Sequence, residues 1–176
     1  MISCFSIDGF TKKAKDQSMN TTSTTEAQAA RIYELWDKYL REGDMQGLAT
    51  IYADDATVQS PLVPTFFGPG KGIARGKAEV LMFLEETVKR RPNDQVHWYR
   101  EGYLWNGKKL VWEYPAETPY GHYQVDLTEC MDLEGGLIKR HRIYWGWYSV
   151  EMMKESTIKK ALEDRLHDNL LKPLSD

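Results

Sequence analysis

The chain has 176 residues, a formal net charge of −3 and 41% hydrophobic residues. That length suits one domain whose core needs no disulfides, and the slight acidity argues against general nucleic-acid binding, which shows a basic excess. No run approaches the ~20 apolar residues of a membrane span, and Met1 to Lys13 lacks the apolar segment of a secretory signal.

Residues 1–25 read as a polar, aperiodic tail. The domain proper is expected over residues 26–153, with a helical extension over 154–176. Thr25 is placed to cap a first helix, along which Ile32, Leu35, Trp36, Tyr39 and Leu40 recur at helical spacing. Gly43 suits its left-handed end, and Asp44 caps a short second helix through Leu48, Ile51 and Tyr52. A strand follows through Val58, and Ser60 to Gly76 reads as a loop rich in proline and glycine. Lys77 to Arg90 is a third helix with Val80, Leu81, Phe83, Leu84 and Val88 on its apolar side. Strands are then expected at Val96 to Trp105, Leu110 to Tyr114, Tyr123 to Leu133 and Leu137 to Tyr148, with a turn at Asn106-Gly107. Val150 to Leu171 reads as a closing helix. Helices first and antiparallel strands after imply an α+β fold, with helices on one face of a curved sheet.

Six Trp, ten Tyr and five Phe make up 12% of the chain, an aromatic load out of keeping with a mean hydropathy of −0.57. Cys4 and Cys130 fit neither a disulfide framework nor a zinc motif, and His97, His122, His141 and His167 are scattered. No metal or cofactor is expected, and the expected compartment is a reducing cytoplasm. Gly72 to Gly76-Lys77 fails as a phosphate loop. It is one residue short, and Ala78 stands where a hydroxyl would hold magnesium.

The run Leu40-Arg41-Glu42-Gly43-Asp44-Met45-Gln46-Gly47-Leu48, then Ile51-Tyr52-Ala53-Asp54-Asp55-Ala56-Thr57-Val58-Gln59-Ser60-Pro61, resembles the opening of the SnoaL-like, nuclear transport factor 2-like superfamily. Gly136 to Trp145 resembles its closing strand. The resemblance spans residues 27–153. It implies a cone-shaped barrel, a mostly antiparallel curved sheet around three N-terminal helices, with a deep cavity. Its members include steroid isomerases, polyketide cyclases, dehydratases, epoxide hydrolases and non-catalytic binding proteins, so fold does not decide function. Where the isomerase-like members carry a general base, a helix-one tyrosine and a protonated acid, this chain has Ser60, Trp36 and Glu129. Where cyclase-like members carry an aspartate on the closing strand, it has Ile143.

Strand alternation places Leu127, Glu129, Met131 and Leu133 inward, with His141, Ile143, Trp145 and Trp147 beside them. Asp126, Thr128, Asp132, Arg140, Arg142, Tyr144 and Tyr148 then face outward. A three-residue turn at Glu134-Gly135-Gly136 pairs Glu129 with His141, whereas a two-residue turn pairs Glu129 with Arg142. The first keeps both apolar sets on one face. The candidate catalytic residues are therefore Glu129 as acid and His141 as base. A carboxyl in aromatic surroundings suits proton donation, and imidazole titrates near neutrality. The bland alternative is that the two simply satisfy each other in the core. Trp36, Ser60, Trp112, Tyr114, Met131, Ile143 and Trp145 are the candidate ligand-binding residues, and Tyr114 and Tyr123 are candidate hydrogen-bond partners. The expected partners are a small hydrophobic molecule and, from the resemblance, a second copy of the chain at the outer sheet face. No nucleic acid or membrane partner is expected.

Overall fold

The computed structural model of the chain describes residues 23–91, 97–117 and 124–170. Most of the expected tail lies outside these residues, as do Pro119, Gly121, Tyr123 and Leu171. In order come α1 (Glu26–Glu42), α2 (Met45–Ile51), β1 (Tyr52–Gln59), α3 (Val63–Phe67), β2 (Ile73–Arg75) and α4 (Gly76–Arg90). There follow β3 (His97–Trp98), β4 (Leu104–Trp105), β5 (Lys109–Tyr114), β6 (Ala116–Glu117), β7 (Leu127–Glu134), β8 (Leu137–Trp145) and α5 (Trp147–Leu170).

Local chemistry sets the first helices. The Thr25 hydroxyl accepts from Gln28 N at 3.2 Å, and the Gln28 side chain accepts from Thr25 N at 2.8 Å, a reciprocal cap. Gly43 ends α1 at φ 68°, where a side chain would be strained. Asp44 caps α2 by accepting from Gly47 N at 2.8 Å. Ala29, Ile32, Tyr33 and Trp36 fall one turn apart and are the buried stripe of α1. Tyr52, expected to finish the second helix, instead opens β1.

Two expectations are corrected between β1 and β5. The supposed loop at 60–76 holds α3, with a proline in its first turn, and the three-residue strand β2. The supposed strand at 96–105 is two pieces: β3 pairs with β6 in a small sheet, and β4 pairs with β5.

The main sheet runs β2-β1-β8-β7-β5-β4, with β1 and β8 parallel and the other pairs antiparallel. Among the described residues it has free edges at β2 and β4, so the cone is an open curved sheet and not a closed barrel. Its inner face carries Val58, Leu110, Met131 and Ile138, buried against Leu48, Ile51, Val80, Phe83 and Leu84 of α2 and α4. At burial of roughly 25 cal/mol per Å² of apolar surface, this seam is the main source of stability.

The β7–β8 hairpin corrects the expected register. Gly135 and Gly136, at φ 57° and 76°, form a two-residue turn with Glu134 opposite Leu137. Leu133 then faces Ile138, but Asp132 faces Arg140, so Lys139 is an extra residue on β8. The bulge restores the parity that the short turn would have broken. Met131 faces His141, Glu129 faces Ile143, and both apolar sets share the inner face.

Trp147, expected inward on the closing strand, lies on α5 and is 69% exposed. On the outer face Asp132 is buried beneath cations, holding Lys109 at 2.5 Å, Arg142 at 2.9 Å and Arg140 at 3.1 Å. α5 packs along α4, where the Ser156 hydroxyl donates to Arg90 O and Lys160 Nζ donates to Lys89 O, each at 2.6 Å. Among the described residues no helix is long and apolar enough to cross a membrane.

Candidate functional site

A pocket of about 670 Å³, counted to include its open mouth, lies between α1, α4, α5 and the inner face of β5, β7 and β8. Its walls include Trp36, Leu84, Val88, Leu127, Ile143 and Trp145, with the Glu129 carboxyl among them. Asp37, Arg41, Arg91 and Trp98 also line it, on its polar side.

Of the residues expected from sequence, Trp36, Tyr114, Glu129, Ile143 and Trp145 line this pocket. Trp112 does not. Its ring packs edge-on behind, 5.6 Å from Trp36 and 5.4 Å from Tyr33. Met131 is fully buried opposite His141. Ser60 sits elsewhere: its hydroxyl accepts from Leu62 N at 3.2 Å, and it borders a separate groove beside Arg142 and Tyr144.

A chain of hydrogen bonds runs behind the pocket wall. Trp36 Nε1 donates to Tyr52 Oη at 2.9 Å, Tyr52 Oη meets His141 Nδ1 at 2.8 Å, and His141 Nε2 meets Glu129 Oε2. Trp36 and Glu129 are nearly buried, and Tyr52 and His141 are fully so. Among the described residues the Tyr52 proton has only His141 Nδ1 as acceptor, which leaves the imidazole proton on Nε2, donated to Glu129. Burial raises the Tyr52 hydroxyl well above its ordinary pKa, against the Trp36 hydrogen bond and with the nearby Glu129 adding to the rise. Tyr52 therefore stays a donor. Both imidazole nitrogens are engaged and the ring does not line the pocket, so His141 stands behind Glu129.

Asp37 organises the polar side. It accepts from Arg41 Nε at 3.0 and 2.9 Å and from the Tyr114 hydroxyl at 2.7 Å, and Arg100 Nη2 lies 3.5 Å away. Burial, the charges of Glu129 and Asp37 and the bond to Asp37 raise the Tyr114 pKa, so its proton is committed to Asp37. Burial, with Arg41 adding repulsion, lowers the Arg91 pKa against the pull of Asp37 and Tyr114. The Trp145 Nε1 is buried without a hydrogen-bond partner among the described residues. No three His, Cys, Asp or Glu side chains among the described residues converge as a metal site.

Asp37, Arg41, Arg91, Tyr52 and Trp98 escaped the sequence reading. The Asp37–Arg41 i,i+4 pair was the one local signal available. The others meet only through the packing of distant segments.

No protein-family model matches the chain, and no curated protein does. Solved structures do. A steroid delta-isomerase from Pseudomonas aeruginosa is 18% identical, with a TM-score of 0.58 over 83% of this chain and 99% of its own. A SnoaL-like protein of unknown function from Burkholderia thailandensis is 18% identical, with a TM-score of 0.55 over 70% and 98%. SalBIII, an epoxide hydrolase/cyclase-like enzyme in pyran ring formation of the polyether salinomycin, is 18% identical, with a TM-score of 0.53 over 70% and 94%. The chain has the α+β cone fold of the SnoaL-like and nuclear transport factor 2-like superfamily.

Proposed function

We propose that the chain binds a small apolar molecule in the aromatic pocket and moves a proton on it by cofactor-independent acid–base chemistry. The observation that carries this reading is the Glu129 carboxyl, which faces an apolar pocket while His141, Tyr52 and Trp36 hold it from behind. A carboxyl in such a wall costs desolvation energy unless it is hydrogen-bonded, and the chain behind it meets that cost. Glu129 is the group that reaches the ligand. His141 is a positioning residue that fixes the carboxyl. A proton taken from a carbon beside a carbonyl and returned to another atom of the same molecule gives isomerisation with no co-reactant. The isomerase and cyclase-like descriptions of similar structures support this class of reaction.

The test uses 2-tetralone, an apolar bicyclic ketone with acidic α-hydrogens, in deuterated water. Wild-type protein accelerates α-hydrogen exchange seen by NMR, and Glu129→Gln loses about 10²-fold or more of that rate while still binding the ketone. Binding without accelerated exchange leaves a non-catalytic ligand carrier. That second reading is favoured by the absence of a second carboxyl at Ser60 and Ile143, both of which flank the other groove. Lack of binding overturns both readings, unless mass spectrometry of purified protein identifies an apolar compound already in the pocket.

Homodimerisation through the outer sheet face belongs to the same proposal. Tyr144, 58% exposed on that face, supports it. A monomer by light scattering at micromolar concentration removes it. Cytoplasmic residence is supported by the free thiol of Cys130.

A further inference from the structure

The pocket wall holds one donor that the described residues leave unanswered. Trp145, the last residue of β8, lines the pocket, yet its Nε1 is buried and meets no acceptor among them. The other donors of the lining are engaged. Trp36 Nε1 donates to Tyr52 Oη and Trp98 Nε1 to Val125 O, each at 2.9 Å. The Tyr114 hydroxyl and Arg41 Nε donate to Asp37, the Thr87 hydroxyl donates to Phe83 O, and Arg91 is engaged as well. Trp112 Nε1 is also unpaired, but it does not line the pocket and its ring packs edge-on among Tyr33, Trp36 and Tyr114.

The register sets Trp145 beside Glu129. Glu129 stands opposite Ile143 and Leu127 opposite Trp145, so Glu129 and Trp145 are diagonal neighbours on the inner face. His141 is the other diagonal neighbour on β8 and holds Glu129 Oε2. The carboxyl is thus flanked by a group that fixes it and by a donor with no partner. Buried N–H groups in native folds are nearly always paired, and indole can only donate, so an acceptor atom is what completes Trp145.

We infer that Trp145 fixes the ligand's oxygen: its N–H donates to an uncharged carbonyl oxygen whose neighbouring carbon faces Glu129. This rests on the proton-transfer reading and goes further by assigning the second polar contact of the pocket. Glu129 takes a proton from that carbon, the C–H electron pair forms a C=C bond, and the carbonyl electrons pass to oxygen. The indole donor meets the negative charge that develops there. Return of the proton to another carbon restores the carbonyl. Trp145 itself exchanges no proton with the ligand.

Nitrogen-15 NMR titration of the full chain with 2-tetralone and with tetralin tests the assignment, because the two share a bicyclic frame and only the ketone carries an acceptor. The Trp145 indole N–H signal moves downfield with 2-tetralone and stays near its free position with tetralin. Trp145→Phe keeps an aromatic wall and removes the donor. It weakens 2-tetralone binding about three- to tenfold relative to tetralin, the range of one neutral hydrogen bond. The carbonyl stretch of bound 2-tetralone lies at lower frequency in the wild type than in this variant, and α-hydrogen exchange at saturating ketone is slower in the variant. If the variant folds poorly, the indole signal of the wild-type chain carries the test. An indole signal indifferent to which probe is bound, or an unchanged relative affinity in Trp145→Phe, overturns the role of Trp145 while the Glu129 reading stands. Failure of both probes to bind overturns both.

Discussion

Glu129 and His141 meet on a diagonal. In the β7–β8 register Glu129 stands opposite Ile143 and Met131 opposite His141, yet Glu129 Oε2 and His141 Nε2 are hydrogen-bonded. Same-face residues offset by two are within reach of long side chains. The pair therefore depends on the Lys139 bulge, which puts both residues on the inner face. Glu129→Gln keeps an acceptor for the imidazole proton, so it is expected to cost under about 1 kcal/mol. Glu129→Leu leaves that proton buried without a partner and is expected to cost about 1–3 kcal/mol. Urea denaturation of the two variants decides the matter, and a leucine variant as stable as the glutamine one would refute the bond.

Tyr52 links two buried groups at once. Tyr52→Phe strips Trp36 Nε1 of its acceptor and His141 Nδ1 of its donor, and each orphan is expected to cost about 1–3 kcal/mol. The imidazole also loses what fixes its tautomer, so nitrogen-15 NMR should find His141 held as Nε2–H in the wild type and mixed in the variant. The pH dependence has a definite sign. Tyr52 and Tyr114 are both raised in the folded state, chiefly by burial. Unfolded tyrosines release protons above about pH 10, where these two retain them. Stability is therefore intact below that value and falls as pH rises beyond it, by about 1.4 kcal/mol per unit for each tyrosine. Urea midpoints between neutral and strongly alkaline pH should show this slope, and Tyr52→Phe should make it shallower.

Features governed by neighbours in sequence were legible: the caps at Thr25 and Asp44, the left-handed Gly43, the buried stripe of α1 and the inward set of β7. Each depends on a few adjacent residues, which the chain displays directly. The register of Glu129 was not legible, because turn length and bulge compensate and only the packed face distinguishes one combination from another. Of the pocket, the apolar wall was foreseen from strand alternation. The charged edge was not, because Asp37 and Arg41 of α1 meet Arg91 and Trp98 only when distant segments pack. Tyr52 was missed because it ends one element and opens the next, where helical and strand periods both fail.

Asp132 should give the fold an acid-sensitive limb. Burial opposes its charge, but the Lys109 hydrogen bond and the charges of Arg142, Lys109 and Arg140 prevail and hold the carboxyl below its ordinary value. A lowered carboxyl contributes stability above its unfolded value of about 3.9 and loses it as pH falls through the folded one. Wild-type protein should accordingly lose urea resistance below about pH 4. Asp132→Asn should be less stable at neutral pH, by about 1–3 kcal/mol, with a flatter acid limb. Equal acid limbs in the two proteins would show that the three cations do not act through this carboxylate.

Gly146 is the point at which the sheet hands the chain to the helix over the pocket. Its N–H donates to Asp126 O at 2.8 Å, and Tyr148 N donates to Gln124 O at 3.2 Å, so the start of α5 is bound to the segment before β7. Ser149 adds a hydroxyl bond to Val125 O. A Cβ at residue 146 would overlap the Gln124 carbonyl, which is backbone and cannot swing aside. Only glycine permits so close an approach. Gly146→Ala should therefore move α5 or the 124–126 segment and destabilise the fold by about 1–3 kcal/mol, the usual cost of overpacking. The same shift would move Met153, the α5 residue that lines the pocket. Thermal melting should report the first effect and weakened 2-tetralone binding the second. An alanine variant with unchanged melting would mean that the close approach at Gly146 does not anchor α5.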